Sequence, residues 1–264
     1  MSPTEDLPHN DPAAAGELIQ AAGAVLFDFD GPLCDAFSGH PAVFVADELK
    51  KGAKSVWGDL PRGLDASVEA HAILRGLALA YSADRAPEQA ALLHAELEKQ
   101  LTQHEEIAVS SARPTPYAAE LTVALRQRGK RLLVTTNNAA GAVRGYLRAQ
   151  GIEGLFDHVI GRDPSDPSLM KPDPYCVNRA VSLARLPARS CLMIGDQASD
   201  AEAARAAGVQ FLGYAPDLAR AAALASAGVE NVVSSLGDVL KALESQNQTG
   251  VGQPSPSRSV RRLR

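Results

Sequence analysis

The sequence predicts an α/β fold: a doubly wound parallel sheet with an all-helical segment inserted into it. Short apolar runs alternate with amphipathic stretches through most of the chain, and such alternation is typical of a parallel sheet with helical crossovers. Residues 35–111 interrupt this alternation with helical periodicity alone. The chain has 264 residues, of which 45% are hydrophobic, so it can bury a substantial core.

Five apolar runs are predicted to be the buried strands of the sheet. They are AVLF (24–27), RLLVT (131–135), HVI (158–160), CLMI (191–194) and VQFLG (209–213). The stretches between them have the periodicity of amphipathic helices: PYAAELTVALRQRG, AAGAVRGYLRAQG, PYCVNRAVSLARL and DAEAARAAG. Three of these four stretches end in glycine, which is typical of a helix C-terminus. Ligands of such sheets bind at the carboxyl ends of the strands.

The helical insertion begins directly after the first strand. Its three helical stretches are PAVFVADELKKGAK, DASVEAHAILRGLALAYS and PEQAALLHAELEKQLTQHEEIAV, with no strand-like run between them. Because the insertion leaves the sheet at the carboxyl end of a strand, we expect it to overhang that end as a lid.

The domain boundaries follow from these patterns. Residues 21–34 and 112–245 are predicted to form the sheet core, and residues 35–111 the helical insertion. Residues 1–20 are predicted to be a flexible N-terminal segment. Residues 246–264 are polar, rich in Pro, Ser and Gly, and carry four arginines and no acidic residue, which predicts a disordered basic tail.

The composition and net charge argue against several classes of protein. A net charge of −5 argues against general nucleic-acid binding. No apolar stretch reaches about 18 uncharged residues, and the N-terminal residues are acidic where a signal peptide is basic, so we expect a cytoplasmic protein without a membrane span. Cys34, Cys176 and Cys191 form no CxxC pair, which favours buried thiols over a disulfide or a zinc site.

Polar residues stand at the ends of four of the predicted strands. If these strands are neighbours in one sheet, the polar side chains converge on a single crevice. The residues are Asp28 and Asp30 after the first strand, Thr135, Thr136, Asn137 and Asn138 at the second, Lys171 beyond the third, and Asp196 and Asp200 after the fourth.

This set of residues suits phosphoryl transfer through a covalent intermediate. A carboxylate can act as the nucleophile and form an aspartyl-phosphate, which divides one slow step into two. Asp28, at the strand end, fits that role. A second carboxylate is needed to protonate the leaving oxygen and later to accept a proton from the attacking water. Asp30 fits that role.

The clustered carboxylates also predict a Mg²⁺ site. Adjacent acidic groups raise one another's pKa unless a positive charge lies among them, and Mg²⁺ binds through carboxylate oxygens, waters and substrate phosphate. Asp28 and Asp196 are the predicted carboxylate ligands, with Asp200 either on the metal or directly behind it. Asp200 could instead serve only as the N-cap of the helix that follows.

The phosphoryl oxygens require a fixed cation and hydrogen-bond donors. The candidates are Lys171, the Thr136 hydroxyl and the backbone N–H groups near Phe29, Asp30 and Asn137. Phosphate monoester hydrolysis is among the slowest uncatalysed reactions, so several converging groups are expected.

The motifs that carry these residues resemble those of the haloacid dehalogenase superfamily, in its phosphatase branch. DFDGPLCD is similar to the family's first motif DxDGT, VTTN to its second, KPDP to its third, and MIGDQASDAEAARAAG to its fourth, GDxxxD followed by an Ala-rich helix. The resemblance implies a Rossmann-like core, Mg²⁺ dependence, Asp28 as nucleophile, and Asp30 as acid and base with its backbone carbonyl on the metal. It also implies that Thr136 and Lys171 bind phosphate and that Asp196 binds the metal. The insertion resembles the helical-bundle cap of phosphoglycolate phosphatase-like and phosphoglucomutase-like members.

Pro32 is the visible departure from this pattern, because the family usually has Thr or Val at that position. Proline fixes φ and lacks an N–H, which we expect to affect the turn and the start of the cap more than the chemistry. The register of the second motif also leaves Thr135 as an alternative to Thr136 for the phosphate ligand.

The predicted function is Mg²⁺-dependent hydrolysis of a small phosphomonoester, of the phosphoglycolate or sugar phosphate class. A phosphomutase is an alternative, because it uses the same core and differs in cap residues. A noncatalytic binding module that contacts an acidic partner through the arginine-bearing tail is another. Trp57, Arg62 and His40 lie where a cap loop could contact a substrate, yet packing or surface roles are favoured for all three.

Overall fold

A computed structural model describes residues 11–61, 63–84 and 87–249 of the chain. The strands in these ranges are β1 (Ala24–Phe27), β2 (Cys34–Asp35), β3 (Arg113–Pro114), β4 (Arg131–Thr135), β5 (His158–Ile160), β6 (Cys191–Gly195), β7 (Gln210–Tyr214) and β8 (Val232–Val233). The α-helices are α1 (Pro12–Ala21), α2 (Ala42–Trp57), α3 (Ala70–Asp84), α4 (Pro87–Ser110), α5 (Ala118–Gln127), α6 (Ala140–Ala149), α7 (Tyr175–Ala184), α8 (Ala198–Ala206), α9 (Leu218–Ser226) and α10 (Leu236–Thr249). Within the described ranges, none of these helices is long and apolar enough to cross a membrane.

Six strands form one parallel sheet in the order β5-β4-β1-β6-β7-β8. The doubly wound α/β fold is therefore confirmed, and all five predicted strands form with bounds that differ by at most one residue. The short strand β8 extends the sheet beyond those five. Strands β4 and β5 lie on one side of β1, and strands β6, β7 and β8 lie on the other, so the direction in which successive strands are added reverses between β1 and β6. Doubly wound sheets bind their ligands at such a switch point.

The pairing register brings the strand ends level with one another. Phe27 of β1 lies opposite Val134 of β4 and Ile194 of β6. Asp28, the next residue, is therefore level with Thr135 of β4 and with Gly195, the last residue of β6. The loop after β6 begins one residue later. Parallel pairing of three central strands thus aligns the loops that carry the predicted site residues.

Both faces of the sheet are covered, which is why its strands are continuous apolar runs rather than alternating ones. Val25 and Phe27 point into the layer that contains α1, α5, α6 and α10. Ala24 and Leu26 point into the opposite layer, against α7 and α8. The three cysteines are buried and unpaired, as predicted.

The N-terminal segment differs from the prediction. Residues 1–20 are predicted to be flexible, yet residues 12–21 form α1, while residues 1–10 lie outside the described residues. The Asp11 carboxylate caps the helix by accepting hydrogen bonds from the N–H groups of Ala13 and Ala14. Ile19 is fully buried in the core layer. A short helix with a cap and one buried apolar contact surface is stabilised by tertiary packing, which a local sequence pattern does not reveal.

The C-terminal boundary is also shifted. Helix α10 continues to Thr249, four residues into the predicted tail of residues 246–264, and residues 250–264 lie outside the described residues. Val239 and Leu243 anchor α10 in the core layer beside α1. The helix therefore extends six residues past Leu243.

Three helices, α2, α3 and α4, make up the insertion and share a core of their own. That core contains apolar side chains from each helix, including Leu49, Ile73 and Leu101, and it also receives Met170 from the sheet domain. The antiparallel pair β2–β3 forms a two-stranded stem where the chain enters and leaves the insertion. The sequence pattern did not indicate this stem, because each of its strands is only two residues long.

Candidate active site

The loop after β1 is a tight turn that fixes Asp28 and Asp30. The N–H groups of Leu33 and Cys34 both donate to the Phe29 carbonyl, so the turn requires no donor from the proline at position 32. Gly31 has a φ of +104°, and a Cβ there would collide with the Asp196 carboxylate. Only glycine combines that backbone conformation with so close an approach of another loop.

The loop after β6 holds Asp196 and Asp200 through the start of α8. Gln197 and Asp200 form a capping box, in which the Gln197 N–H donates to Asp200 Oδ2 at 3.1 Å. The N-cap of α8 is therefore Gln197, and Asp200 contributes to the capping box from the third helical position rather than as the predicted N-cap. The same side chain also faces the cluster of acidic groups through its other oxygen, so capping is only part of what Asp200 does. Gly195 leaves room for it, since a Cβ at that position would lie 2.6 Å from Asp200 Oδ2.

Lys171 joins the two acidic loops. Its Nζ donates to Asp28 Oδ1 at 2.8 Å, to Asp200 Oδ1 at 2.6 Å and to the Thr135 carbonyl at 3.1 Å. The lysine is held in place by Asn137, whose side chain accepts from the Lys171 N–H at 2.8 Å and donates to the Lys171 carbonyl at 3.2 Å. An ammonium with three acceptors has no freedom to move, so the charge at this position is fixed.

The structure distinguishes the two threonines of the second motif. The Thr136 side chain lines a cavity beside Asp28, whereas Thr135 is fully buried and does not line that cavity. Thr136 Oγ1 accepts hydrogen bonds from the N–H and the side-chain amide of Asn138, at 3.1 and 3.0 Å. Because both acceptor positions of the hydroxyl are used, its own proton is left to donate to a ligand in the cavity.

Three carboxylates form a cluster that fits a divalent cation. Asp28, Asp196 and Asp200 are all buried, and each offers one oxygen such that the three oxygens lie within 4.8 Å of one another. Asp196 Oδ1 is buried and has no hydrogen-bond partner among the described residues. A buried carboxylate oxygen without a donor is costly, and an all-oxygen donor set of this kind is what Mg²⁺ prefers. The Asp30 carboxylate lies outside this cluster and accepts from the Ala36 N–H at 2.9 Å.

The pKa values of these groups reflect how closely they are packed. Burial and then the Asp200 charge raise the pKa of Asp28 to about 7, against the opposing effect of Lys171. Burial and then the Asp28 and Asp200 charges raise the pKa of Asp196 to about 8. Burial disfavours the Lys171 ammonium, but the Asp200 and Asp28 charges outweigh burial and raise its pKa. The site therefore holds more negative charge than Lys171 alone neutralises.

A cavity of about 230 Å³ lies between the carboxyl end of the sheet and the helical insertion. The sheet side contributes seven of the polar residues predicted to converge there: Asp28, Asp30, Thr136, Asn137, Asn138, Lys171 and Asp200. Asp196 lies behind the cavity, in the carboxylate cluster. The insertion contributes residues that the sequence reasoning did not identify, among them Phe37, Glu69, His71 and Arg75.

Of the three insertion residues singled out from the sequence, the two that the structure describes, Trp57 and His40, do not line this cavity. Trp57 lies at an outer groove beside Val56 and Leu92. His40 stacks on His104, and their ring nitrogens are 2.9 Å apart. Arg62 lies outside the described residues. Helical periodicity identifies the residues that are buried between helices, but not the helix end that faces the sheet.

Comparisons with known proteins agree with this geometry. The family model for haloacid dehalogenase-like hydrolases matches residues 22–208. The chain belongs to the haloacid dehalogenase-like hydrolase family. It is 30% identical over 227 residues to a phosphoglycolate phosphatase of Rhodospirillum rubrum, covering 82% of this chain and 90% of that relative. It is 32% identical over 193 residues to a phosphoglycolate phosphatase of Cereibacter sphaeroides, covering 71% of this chain and 82% of that relative.

The chain also shares its fold with solved structures. A hydrolase from Pseudomonas syringae aligns with a TM-score of 0.62 at 23% identity, covering 84% of this chain and 98% of that one. Together with the curated relatives, the family match shows that this chain is a phosphatase-type haloacid dehalogenase-like hydrolase.

One arginine of this hydrolase contacts the carboxylate cluster from a helix that lies outside the sequence motifs. Arg220, on α9 after β7, donates from Nε to Asp196 Oδ2 at 2.8 Å and is itself oriented by Asp217. Arg220 therefore holds one oxygen of Asp196 and leaves the unpartnered Oδ1 toward the cluster. No sequence motif indicated this residue, because it lies 24 positions beyond Asp196.

A buried ionic network joins the hydrolase core to the insertion next to the cavity. Arg162, in the loop after β5, donates to Glu98 at 2.8 Å and to Glu105 at 2.5 Å on α4, and to the Asn137 carbonyl at 3.0 Å. Glu105 also accepts from His71 at 2.8 Å. Burial disfavours the Glu105 carboxylate, but Arg162 and His71 outweigh burial and hold its pKa below the usual range.

Replacement of Arg162 should destabilise the hydrolase strongly. In Arg162→Met, Glu98 and Glu105 remain buried without their cation, and breaking a buried ion pair in this way costs about 3–5 kcal/mol. The free energy of unfolding from urea titrations measures the effect. Arg144→Met removes an arginine that pairs with Glu153 while half-exposed, so it should cost less than about 1 kcal/mol. An equal decrease in the free energy of unfolding in the two variants would show that the buried network stabilises the protein no more than a surface ion pair does.

The carboxylate cluster predicts a pH-dependent stabilisation by Mg²⁺. Asp28 and Asp196 have pKa values of about 7 and about 8 in the folded protein, against 3.8 for an unperturbed Asp. The folded protein therefore binds these protons more tightly than the unfolded chain, and metal-free protein should lose stability as the pH rises from about 4 to about 8. Mg²⁺ requires the ionised carboxylates, so it should raise the Tm more at pH 8 than at pH 5.5. At 100-fold above its Kd, a ligand adds about 2.7 kcal/mol.

Thermal unfolding with EDTA or with Mg²⁺ at the two pH values measures this difference. Asp196→Asn serves as the control, because it removes one of the two titrating carboxyls and a predicted ligand. It should flatten the pH dependence and reduce the Mg²⁺ shift. A wild-type Tm that responds equally to Mg²⁺ at both pH values would contradict the prediction.

Proposed function

We propose that this hydrolase is a Mg²⁺-dependent phosphatase that cleaves a small phosphomonoester through an aspartyl-phosphate on Asp28. The observation that carries the proposal is the position of Asp28. Its carboxylate lines the cavity, is held at 2.8 Å by Lys171, and belongs to the buried carboxylate cluster. A nucleophile, a fixed cation and a candidate metal site thus meet at one point at the carboxyl end of β1.

The first step forms the covalent intermediate. An Asp28 carboxylate oxygen attacks phosphorus, and the bond between phosphorus and the leaving oxygen breaks as the Asp28–phosphorus bond forms. Asp30 donates a proton to the leaving oxygen. Burial raises the pKa of Asp30, against the opposing hydrogen bond from the Ala36 N–H, and a raised pKa suits a carboxyl that must start the reaction protonated.

The second step hydrolyses the intermediate. A water molecule attacks phosphorus while Asp30, now ionised, accepts one of its protons. The bond between phosphorus and Asp28 breaks, so inorganic phosphate is released and the Asp28 carboxylate is regenerated. Asp30 is protonated again and ready for the next substrate.

The phosphoryl group is proposed to be held by donors from two loops. The Thr136 hydroxyl has a proton left to donate, and the Asn137 side chain positions Lys171. The backbone N–H groups of Asp30 and Asn137 have no acceptor in the part of the chain that the structure describes. Mg²⁺ held by Asp28 and Asp196, with Asp200 beside them and the Asp30 carbonyl as a further ligand, would neutralise charge on the transferred group.

We propose that the helical insertion acts as a cap over the site. The assignment of residues 35–111 to a cap, and of residues 21–34 and 112–245 to the core, is supported by the separate apolar core of the insertion and by its two-stranded stem. A cap that closes over the cavity excludes water and so protects the intermediate from uncontrolled hydrolysis.

The proposed substrate belongs to the phosphoglycolate or sugar phosphate class. The relatives described above are phosphoglycolate phosphatases. The cavity of about 230 Å³ is smaller than the roughly 300–1,000 Å³ usual for drug-sized ligands. Both observations favour a small phosphorylated metabolite.

Phosphate release from a substrate panel tests the proposal. The purified protein is assayed with 2-phosphoglycolate, glucose 1-phosphate and glucose 6-phosphate, with Mg²⁺ or with EDTA. Mg²⁺-dependent phosphate release, fastest with one of these compounds, is the expected result. Conversion of glucose 1-phosphate to glucose 6-phosphate without phosphate release would show a phosphomutase instead. Mg²⁺-independent release would contradict the proposed role of the carboxylate cluster.

A further inference from the structure

Arg75 is a cation in the cavity that the proposed chemistry does not use. It lies on α3 and lines the cavity together with His71, which is four residues before it and so on the same face of the helix. The Arg75 side chain is partly buried. It makes no hydrogen bond or ion pair with any residue in the described ranges.

The other cations of the cavity already have partners. Lys171 is bound to Asp28 and Asp200, and His71 is bound to Glu105. Glu69, the acidic residue that the insertion adds to the lining, is exposed and is not paired with Arg75 within the described residues. Among the described residues that line the cavity, Arg75 is thus the cation whose N–H donors remain free for a ligand.

A guanidinium in this position suits a second anionic group on the substrate. Its planar donors match a carboxylate or a phosphate in a two-pronged geometry. The phosphoryl group that reacts must lie against Asp28, on the sheet side of the cavity, whereas Arg75 comes from the insertion side. One small cavity therefore offers an anion site at each of its two walls.

We infer that Arg75 binds a carboxylate or a second phosphate on the leaving group, and so selects anionic phosphomonoesters over neutral ones. This inference rests on the proposed phosphatase function and adds the chemical class of the group that leaves. The insertion then contributes to specificity by charge as well as by enclosing the substrate.

Two variants of Arg75 and a matched set of substrates test the inference. The compounds are 2-phosphoglycolate, ethyl phosphate, which replaces the carboxylate by a methyl group, ethylene glycol bisphosphate, which carries a second phosphate, and p-nitrophenyl phosphate. The kcat/KM of each is measured for wild type, Arg75→Met and Arg75→Lys. Arg189→Met is the control, because Arg189 is exposed just before β6 begins, at the opposite end of the sheet.

Arg75→Met should lose about 10- to 100-fold in kcat/KM for the anionic compounds, which is typical of a lost hydrogen bond to a charged group. The values for ethyl phosphate and p-nitrophenyl phosphate should change less than about threefold, and Arg75→Lys should recover part of the loss. Selective loss with 2-phosphoglycolate assigns the site to a carboxylate, and selective loss with the bisphosphate assigns it to a second phosphate.

Two results overturn the inference while the phosphatase stands. An equal loss with all four compounds would show that Arg75 contacts the reacting phosphoryl group, and unchanged values would show that it contacts no substrate. If the wild type releases phosphate from none of the four, the inference fails, and if it also releases none from glucose 1-phosphate and glucose 6-phosphate, the proposed phosphatase function fails with it.

Discussion

Asp28→Asn should abolish turnover while leaving the fold intact. The amide has nearly the same shape as the carboxylate but cannot attack phosphorus, and loss of a catalytic nucleophile reduces kcat by at least about 10⁴-fold. Steady-state phosphate release with the best substrate of the panel measures the effect.

Stability separates this loss from misfolding. Burial raises the pKa of Asp28 to about 7, so above that pH the folded protein carries a carboxylate that is more stable in the unfolded chain. The Tm of metal-free Asp28→Asn at pH 8 should therefore be no lower than that of the wild type. A variant that keeps more than about a tenth of the wild-type kcat would exclude Asp28 as the nucleophile.

Lys171→Met should remove both activity and stability. Lys171 is the cation between Asp28 and Asp200, and all three side chains are buried. Without it, two buried carboxylates repel each other without compensation, which costs about 3–5 kcal/mol. The variant also loses a fixed charge beside the phosphoryl group, so kcat/KM should fall at least about 10³-fold.

The pH dependence of the Lys171→Met defect identifies its cause. Protonation of Asp28, whose pKa is raised to about 7, relieves the repulsion, so the difference in unfolding free energy from wild type should be smaller at pH 5.5 than at pH 8 when EDTA is present. Lys99→Met, at an exposed position of α4, should leave stability and activity unchanged. A deficit of the same size at both pH values would indicate lost packing rather than lost charge compensation.

The sheet and the convergent site could be predicted because their determinants are local. A buried parallel strand is a short apolar run, and the residue after it is at the carboxyl end whatever the rest of the chain does. Strand ends and motif spacing therefore predict the positions of Asp28 and Asp196, whereas the choice between Thr135 and Thr136 depends on which of them lines the cavity. The register of β1 with its neighbours then brings these loops together.

The remaining contributors depend on contacts between distant segments. Arg220 reaches Asp196 from helix α9, and Arg162 reaches Glu105 across 57 positions of the chain. Arg75 lines the cavity because of how α3 packs over the sheet. Periodicity shows which side of α3 is apolar, but not which of its ends meets the core.

The central claim is that phosphate passes through a covalent bond to Asp28, and trapping that species tests it most directly. Asp30→Asn lacks the group proposed to activate water, so hydrolysis of the intermediate should become slow. p-Nitrophenyl phosphate has an acidic leaving group and needs no proton from Asp30, so the intermediate should still form. The experiment mixes this variant with p-nitrophenyl phosphate and Mg²⁺, quenches with acid, and measures the intact mass.

The expected result is one added phosphoryl group, located on the peptide that contains Asp28 and absent from the Asp28→Asn, Asp30→Asn double variant. If the wild type turns over this substrate but Asp30→Asn releases one equivalent of p-nitrophenol with no phosphoryl group on Asp28, the proposed covalent mechanism is wrong.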